Sequence, residues 1–479
     1  MMKRSMKLGD LLADLFIVNE VDKNIEITGI SIDNRDVKHG DLFIFHKGEK
    51  FDSHSCYKSI EDKAQAFISE INLDTDLPQF RIEDTNDLIG LIAARFYGHP
   101  TEAMTNIAVT GTNGKTSVIK LISHLLRPTN KLIADIGTNG IFLNDIEIET
   151  NTKTPTTPPP LELQEIAYEL KNKNSDYLLM EVTSHGLHMG RTLGIGFKYR
   201  LFTNLTKDHL DYHQTMEAYL KAKKILFDTA NPSDFAIINA DSKYAKKIVK
   251  DTQAQIITYA LDVPADFRAI NIEENELNTR FDLIYKDETI PFETELIGRY
   301  NVSNLLASII VAYKEGLPWD AIQGAVNSFH GIKGRLQRVE TSNVFIDYAH
   351  TPDALENVLQ TVKNVATGKV IVVFGAGGDR DKTKRPEMGI IAEENSHIPI
   401  VTSDNPRTED PSAIIADILQ GMKEKTLAII NRKDAIEQAI KLAEPDDVII
   451  IAGKGQEEYQ EINGVRHDFS DYEVAKSFL

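Results

Sequence analysis

The segment Thr105 to Ser117, TNIAVTGTNGKTS, constrains this chain more than any other. Ile107, Ala108, Val109 and Thr110 form a short apolar run of the kind that makes a buried strand. Gly111, Thr112, Asn113, Gly114 and Lys115 follow as a tight glycine-bearing turn. From Thr116 and Ser117 onward, Val118, Leu121, Ile122 and Leu125 recur at helical spacing, which predicts a helix with one apolar face. Strand, glycine turn, Lys-Thr and helix together make a phosphate cradle. Backbone N–H groups and a helix N-terminus face the anion, the lysine neutralises it, and the threonine hydroxyl ligates magnesium. The spacing is shorter than the usual G-x-x-x-x-G-K-[ST], because the first glycine is Gly111. An ordinary glycine turn before a core helix is the plainer alternative, but the preceding strand favours the phosphate cradle.

The length of 479 residues suggests roughly three domains. A formal net charge of -19 argues against general nucleic-acid binding, which needs a basic footprint. It also means that a phosphorylated ligand must be held by local Lys, Arg, helix ends and metal, against the overall field. Cys56 is the only cysteine, so neither a disulfide framework nor a multi-cysteine metal site is available. The N-terminus begins basic, but Asp10 and Asp14 interrupt what would be a signal-peptide core. No apolar run reaches the length of a membrane span, and a reducing cytoplasm is the expected location.

Residues 1–100 read as a small α/β domain, with strands and turn signals alternating through ITGISIDNRDVKHGDLFIFHKG. A boundary is expected in YGHPTEAM at 97–104, and a central domain then runs over 101–335. Within it, Tyr177 to Val182 is an apolar strand with Glu181 near its end, and YRLFTNLTKDHLDYH is a strand running into a His/Asp-rich loop. MEAYLKAKKILFDTA at 216–230 has helical spacing, and FAIINADS reads as a further strand. Over 336–479 apolar strands alternate regularly with polar loops and helices, which signals a parallel, doubly wound, Rossmann-like sheet. Ligands bind such sheets at the carboxyl ends of strands. The loops there hold Asp347 and His350, then Arg380, then Asp404 and Arg407, then Lys454 and Glu457. GAGGDR is no dinucleotide fingerprint, since Arg380 stands where the last glycine belongs.

Singly, these residues say little. A glutamate ending a strand is often a surface carboxylate, His209 alone is ordinarily packed or solvated, and Lys223 on a helix is ordinarily solvated. Together, Thr116 and two strand ends bearing Glu181 and His209 can converge on magnesium, which takes one or two protein ligands plus phosphate and water.

TGTNGKT, EVTSHGL, NLTKDHLDYH, AKKILF, IGRYNVSN, DYAHTPDAL, GAGGDRDKTKRPEMG, DNPRTEDP and AGKGQEEYQ occur here in the order seen in the Mur ligases. The chain resembles the muramoyl-tripeptide synthetase branch of that family over nearly its whole length. The resemblance implies a UDP-sugar-binding N-terminal domain, a central P-loop ATPase domain and a C-terminal domain that closes over the nucleotide. It implies that Gly111 to Ser117 cradle ATP, with Asn301, Asn304, Arg335 and Asp347 as further nucleotide contacts. Thr116, Glu181 and His209 would serve two magnesium ions, and Lys223 matches the lysine this family carries as a carbamate. Lys115, Lys223 and His209 are the expected catalytic groups. Asn34, Thr156, Thr157, Thr183 and Arg191 match contacts to the UDP-N-acetylmuramoyl-dipeptide. Arg380, Asp404, Asn405, Pro406, Arg407, Gly453 and Glu457 match the site of the incoming amino acid.

The implied activity is ATP-dependent carboxylate–amine ligation through an acyl phosphate, in peptidoglycan precursor synthesis. In this family DNPR goes with meso-diaminopimelate, and the physics agrees. A guanidinium binds the distal carboxylate of diaminopimelate in a bidentate manner and repels the lone distal ammonium of lysine. Taken without the family, DNPRTEDP also reads as a helix-capping turn. Departures from the pattern cluster around the acceptor. Asn34 replaces a serine, Thr183 replaces the first serine of SSHGL, Pro155 stands where an asparagine is common, and Gln214 replaces a glycine. An L-lysine-adding ligase, a paralogue with a related acceptor, a folylpolyglutamate synthetase and a non-catalytic nucleotide-binding regulator are the competing readings. A monomer is expected.

Overall fold

The computed structural model describes residues 4–479 except 14, 16–21, 48–50, 151, 153–155, 276–277 and 425. Pro155 therefore lies outside the described residues. Three α/β domains, each with its own sheet, follow one another along the chain. The first sheet is wholly parallel, with strands Gly29–Ser31, Asp41–Ile44, Ala64–Ser69 and Gln79–Arg81 in sequence order. Its core of Leu42, Ile44, Ala66, Ile68 and Phe80 is covered by the helix Asn86–Phe96 through Ile89 and Ile92.

Among the described residues the central sheet has 11 strands. The phosphate-loop strand Thr105–Thr110 lies at its heart, parallel to Tyr177–Glu181 on one side and Tyr199–Phe202 on the other. The register pairs Glu181 with Val109 and Phe202 with Thr110. Three strands thus end at one level, and the residues just beyond them meet at the carboxyl edge, where such sheets bind ligands. These strands are buried on both faces, which is why they read as continuous apolar runs. An antiparallel meander of Phe267–Glu274, Thr279–Tyr285 and Glu288–Thr294 closes one edge of the sheet. The helix Lys115–Leu125 packs on Arg299–Lys314, burying Val118, Leu121, Ile122 and Leu125 against Leu305, Ile309 and their neighbours.

Among the described residues the third sheet has 6 strands. Val344–Asp347, Val448–Ala452, Val370–Phe374, Ile398–Thr402 and Leu427–Ile429 lie parallel in that spatial order. Helices cover both faces, as the alternation of strands and helices requires. The end of DNPRTEDP does cap a helix, as its turn residues suggest, while Asp404 to Arg407 lie in the loop before it. The helix begins at Pro411, and Asp410 caps it by accepting a hydrogen bond from Ser412 N. Among the described residues no helix is long and apolar enough to cross a membrane.

Candidate active site

The carboxyl ends of the central strands face those of the C-terminal sheet across a cleft of about 700 Å³. On the central side the phosphate loop crosses the floor. Gly114 has φ +87 and lies against Asn304, so a side chain there would be strained and would strike the Asn304 amide. Lys115 Nζ curls back to donate to Gly111 O at 2.9 Å and Thr112 O at 2.8 Å. Lys223 comes from the helix Met216–Asp228 and donates to the same Gly111 O at 2.8 Å from beneath. Burial lowers the pKa of both lysines, that of Lys223 well below the ordinary range with Lys115 adding to the effect. Two desolvated amines thus meet at one carbonyl, and their hydrogen bonds go to backbone oxygens.

Thr116 Oγ1 donates to Glu181 Oε1 at 2.8 Å, and Arg335 Nη2 donates to Thr116 Oγ1 at 3.3 Å. Glu181 is buried, and Thr138 N and Oγ1 also donate to its carboxylate. His209 adopts a left-handed backbone at φ +53 that turns its ring into the cleft, 3.4 Å from Asp208. Burial holds its imidazole neutral, with His185, Lys115 and Lys223 reinforcing the effect against Asp208. Ser117 lines the same floor, as do Asn301 and Asn304 at the start of the helix Arg299–Lys314. The Asn301 amide is already committed to Ile297 O at 2.8 Å. The Arg335 guanidinium lies 4.6 Å from the Tyr348 ring centre, beside buried Asp347, which accepts from Leu336 N at 2.7 Å. Burial raises the pKa of Asp347 and Arg335 opposes the rise.

A second cluster lies beside Glu181. Thr157 Oγ1 donates to Glu181 O and accepts from Thr183 N, and Arg191 Nη1 donates to Thr157 O at 2.8 Å. Thr183 in turn caps the helix Ser184–His188 through Gly186 N, and Thr156 Oγ1 donates to Thr138 Oγ1. Asn34 is not brought to this cleft; it sits in the turn after Gly29–Ser31 in the first domain.

The opposite wall is a network of paired charges. Asn405 Oδ1 accepts from Lys454 Nζ at 2.9 Å, and Glu457 Oε2 accepts from both Lys454 Nζ and Asn405 Nδ2. Asp404 Oδ1 accepts from Asn405 N, whereas its buried Oδ2 has no partner. Burial opposes ionisation of Asp404, but Arg432 and Lys454 outweigh it and hold the carboxyl below the usual range. Gly453, at φ +119, leaves room for that carboxylate. Arg407 lines the cleft with Nη1 on Gly378 O at 2.7 Å and Nε 3.7 Å from Glu461. Pro406 packs its carbonyl on Gly378, and Arg380 is exposed at the rim.

The profile of the Mur ligase middle domain matches residues 109–312, and that of the Mur ligase glutamate ligase domain matches 334–455. A relative from Bacillus velezensis, named UDP-N-acetylmuramoyl-L-alanyl-D-glutamate–2,6-diaminopimelate ligase, is 41% identical over 461 residues, 94% of each chain. A relative of the same name from Clostridioides difficile is 41% identical over 486 residues, 99% of each chain. A solved structure with that name superposes with a TM-score of 0.71 at 32% identity, covering 99% of this chain and 98% of the other. The chain belongs to the Mur ligase family.

In this Mur ligase, sequence motifs pointed to most of the cleft but not to its pairings. Lys454 and Arg432 brace the C-terminal wall, and Asn204 orients the phosphate loop by accepting from Asn113 N at 2.9 Å. Arg432 is fully buried, pairs with Asp471 at 2.7 Å and reaches Ala452 O. Asn204 lies in the quoted NLTKDH motif, whereas Arg432 carries no local signal. Among the described residues no cluster of three carboxylate, imidazole or thiol groups forms a cage for a metal. Thr116 and Glu181 instead offer a hydroxyl and one carboxylate beside the phosphate loop. That donor set suits magnesium, which keeps water and phosphate oxygens in its shell.

Proposed function

We propose that this chain is an ATP-dependent amide ligase that joins meso-diaminopimelate to UDP-N-acetylmuramoyl-L-alanyl-D-glutamate in peptidoglycan precursor synthesis. One observation carries the reading. A phosphate loop with two desolvated lysines faces, across a single cleft, a wall of paired charges that offers an unpartnered Asp404 carboxylate oxygen and the Arg407 guanidinium held on Gly378 O beside Glu461. The first side suits a triphosphate, and the second suits a zwitterion with an extra carboxylate. The relatives' shared name supports the same substrates.

In this reading the acceptor's terminal glutamate carboxylate attacks the γ-phosphate of ATP, giving an acyl phosphate and ADP. The amino-acid nitrogen then attacks the acyl carbon, the C–O bond to phosphate breaks, and the nitrogen gives up its proton. Lys115 leaves its loop carbonyls to meet the transferring phosphoryl group. Thr116, Glu181 and His209 would hold magnesium, which would spread the phosphoryl charge. A neutral Lys223 amine is the form that combines with carbon dioxide, and its carbamate would supply an anion for a second ion. Gly111 to Ser117, Asn301, Asn304, Arg335 and Asp347 bind nucleotide; Thr156, Thr157, Thr183 and Arg191 bind the muramoyl-peptide, with Asn34 toward its uridine end. Asp404 takes an ammonium and Arg407 the distal carboxylate, while Arg380, Asn405, Pro406, Gly453 and Glu457 shape the pocket. The domain limits that fit are 1–100, 101–335 and 336–479, in a monomeric cytoplasmic enzyme.

The test is amide formation with UDP-N-acetylmuramoyl-L-alanyl-D-glutamate across a panel of amino acids. Selective, ATP-dependent use of meso-diaminopimelate is expected. Equal use of L-lysine defeats the substrate assignment, and phosphate release indifferent to the acceptor defeats the ligase.

A further inference from the structure

Asn113, at the centre of the phosphate loop, is held from the central domain on both sides of its peptide. Its N–H donates to Asn204 Oδ1 at 2.9 Å, and its carbonyl accepts from Thr203 Oγ1 at 2.6 Å. The side chain points the other way and donates through Nδ2 to Asp353 Oδ2 at 2.6 Å. Asp353 belongs to the C-terminal domain, 240 residues along the chain. It occupies the second position of the helix Pro352–Val365, whose start is fixed by Pro352 and by the Thr351 cap on Ala354 N. The loop before that helix is tied to the helix Lys384–Asn395 through Lys384 Nζ on His350 O at 3.1 Å. Two arms from different domains therefore meet at Asn113 and Asp353.

We infer that Asp353 is a positioning residue that latches the C-terminal domain to the phosphate loop through Asn113, so that the acyl phosphate is spent on the amine and not on water. The inference rests on the ligase reading above. The bond between Asn113 and Asp353 is shorter than the 3.3 Å contact of Arg335 with Thr116 on the same loop. The ion pair of Lys207 with Glu387 also crosses the cleft, but at 3.4 Å and half-exposed it is screened and contributes little. Asp353 is half-buried, and a hydrogen bond to a carboxylate is stronger there than one between neutral groups. Burial raises its pKa, and the Asn113 amide opposes the rise. The carbonyls of Gly111 and Thr112, immediately before Asn113, hold Lys115, and Gly111 O holds Lys223 as well. Docking at Asn113 therefore fixes the strip of backbone that organises both lysines. Undocked, the cleft opens between loop and amino-acid wall. Water then attacks the acyl carbon, the C–O bond breaks, and the acceptor carboxylate and inorganic phosphate are released without amide.

The test compares wild type, Asp353→Ala and Asp353→Asn as full chains. Asp353→Asn keeps an acceptor oxygen for Asn113, so it reports whether the bond or the charge matters. Small-angle scattering with ADP and Mg²⁺ reads docking, and the ratio of phosphate to amide in a complete reaction reads coupling. Wild type should compact with nucleotide and release one phosphate per amide, and Asp353→Asn, which keeps the acceptor but loses the charge, should fall between wild type and Asp353→Ala. Asp353→Ala should stay extended, with the docking equilibrium shifted about tenfold and the ratio clearly above one. Asp353→Ala that compacts like wild type, or that stays extended yet keeps one phosphate per amide, overturns the latch. If no variant makes amide, the ligase reading fails, while the scattering still decides whether Asp353 docks the domain.

Discussion

The two walls of the cleft solve opposite electrostatic problems. On the central side Lys115 and Lys223 are buried amines whose hydrogen bonds end on carbonyls, and burial lowers both pKa values. On the C-terminal side Lys454, Glu457, Arg432 and Asp471 are matched pair by pair, leaving one oxygen of Asp404 unpaired. Neither amine has a carboxylate in hydrogen-bond contact among the described residues, so an anionic ligand suits the first wall. The second is nearly neutral and needs only a small ligand carrying both signs. In a chain of net charge -19, the ligand's charge can thus be read as the complement of what each wall lacks.

The largest effect should come from removing a cation on the unbalanced wall. Lys115→Ala is expected to lower kcat about 10⁴-fold, since this is the movable cation at the phosphoryl group. Single-turnover phosphate release checks it, and activity within about tenfold of wild type would remove the phosphate-loop assignment. Next, Lys223→Ala should cost about 10³-fold. Added acetate should restore part of that by replacing the lost anion, and carbon-dioxide depletion should inhibit wild type alone. Full activity under both treatments would make Lys223 a structural lysine.

On the balanced wall effects should be smaller and selective. Arg407→Ala should weaken use of meso-diaminopimelate by about 3 kcal/mol in kcat/KM, with use of L-lysine unchanged or slightly improved. A uniform loss for both amino acids would make Arg407 structural. The smallest effect concerns Glu409, just after Arg407 in the chain, which accepts from both terminal nitrogens of Arg385 and pairs with Lys382. Those hydrogen bonds pull its pKa down to about 2. A depressed carboxylate stabilises the fold above its unfolded value, near about 4, and that contribution disappears as the pH falls through about 2. Glu409→Gln should cost about 1–2 kcal/mol at neutral pH, and the melting midpoints of variant and wild type should converge on acidification. A gap that persists at low pH would point to packing instead.

The phosphate loop was legible because its chemistry is local: strand, Gly111, Lys115, Thr116 and helix are contiguous in the chain. The alternating C-terminal sheet was legible because strands buried on both faces read as unbroken runs such as Val370–Phe374. The meander over Phe267–Thr294 was not, since outward Arg268, Glu273, Arg280 and Glu293 break up its apolar pattern. Pairings over long sequence distances left no local mark. Asn113 with Asp353, and Lys454 with Asn405, exist only once the sheets are assembled. The family motif gave Arg407 its place in the chain but not its backbone conformation.

That conformation has a consequence for how the pocket changes over generations. Arg407 sits at φ +51, a region a non-glycine residue enters only when its surroundings hold it there. The restraint is a hairpin of Tyr459–Ile462 and Val465–Asp468: Arg407 N donates to Glu461 O, and Asn463 N donates to Arg407 O. Val465 to Asp468 are exposed on the molecular surface, outside the residues that line the cleft. A shift in this peripheral hairpin would swing the guanidinium without altering a single pocket residue. On the proposed reading of Arg407, the hairpin would therefore act as an adjustment screw for substrate preference on the outside of the molecule, with Asp404 to Arg407 themselves unchanged.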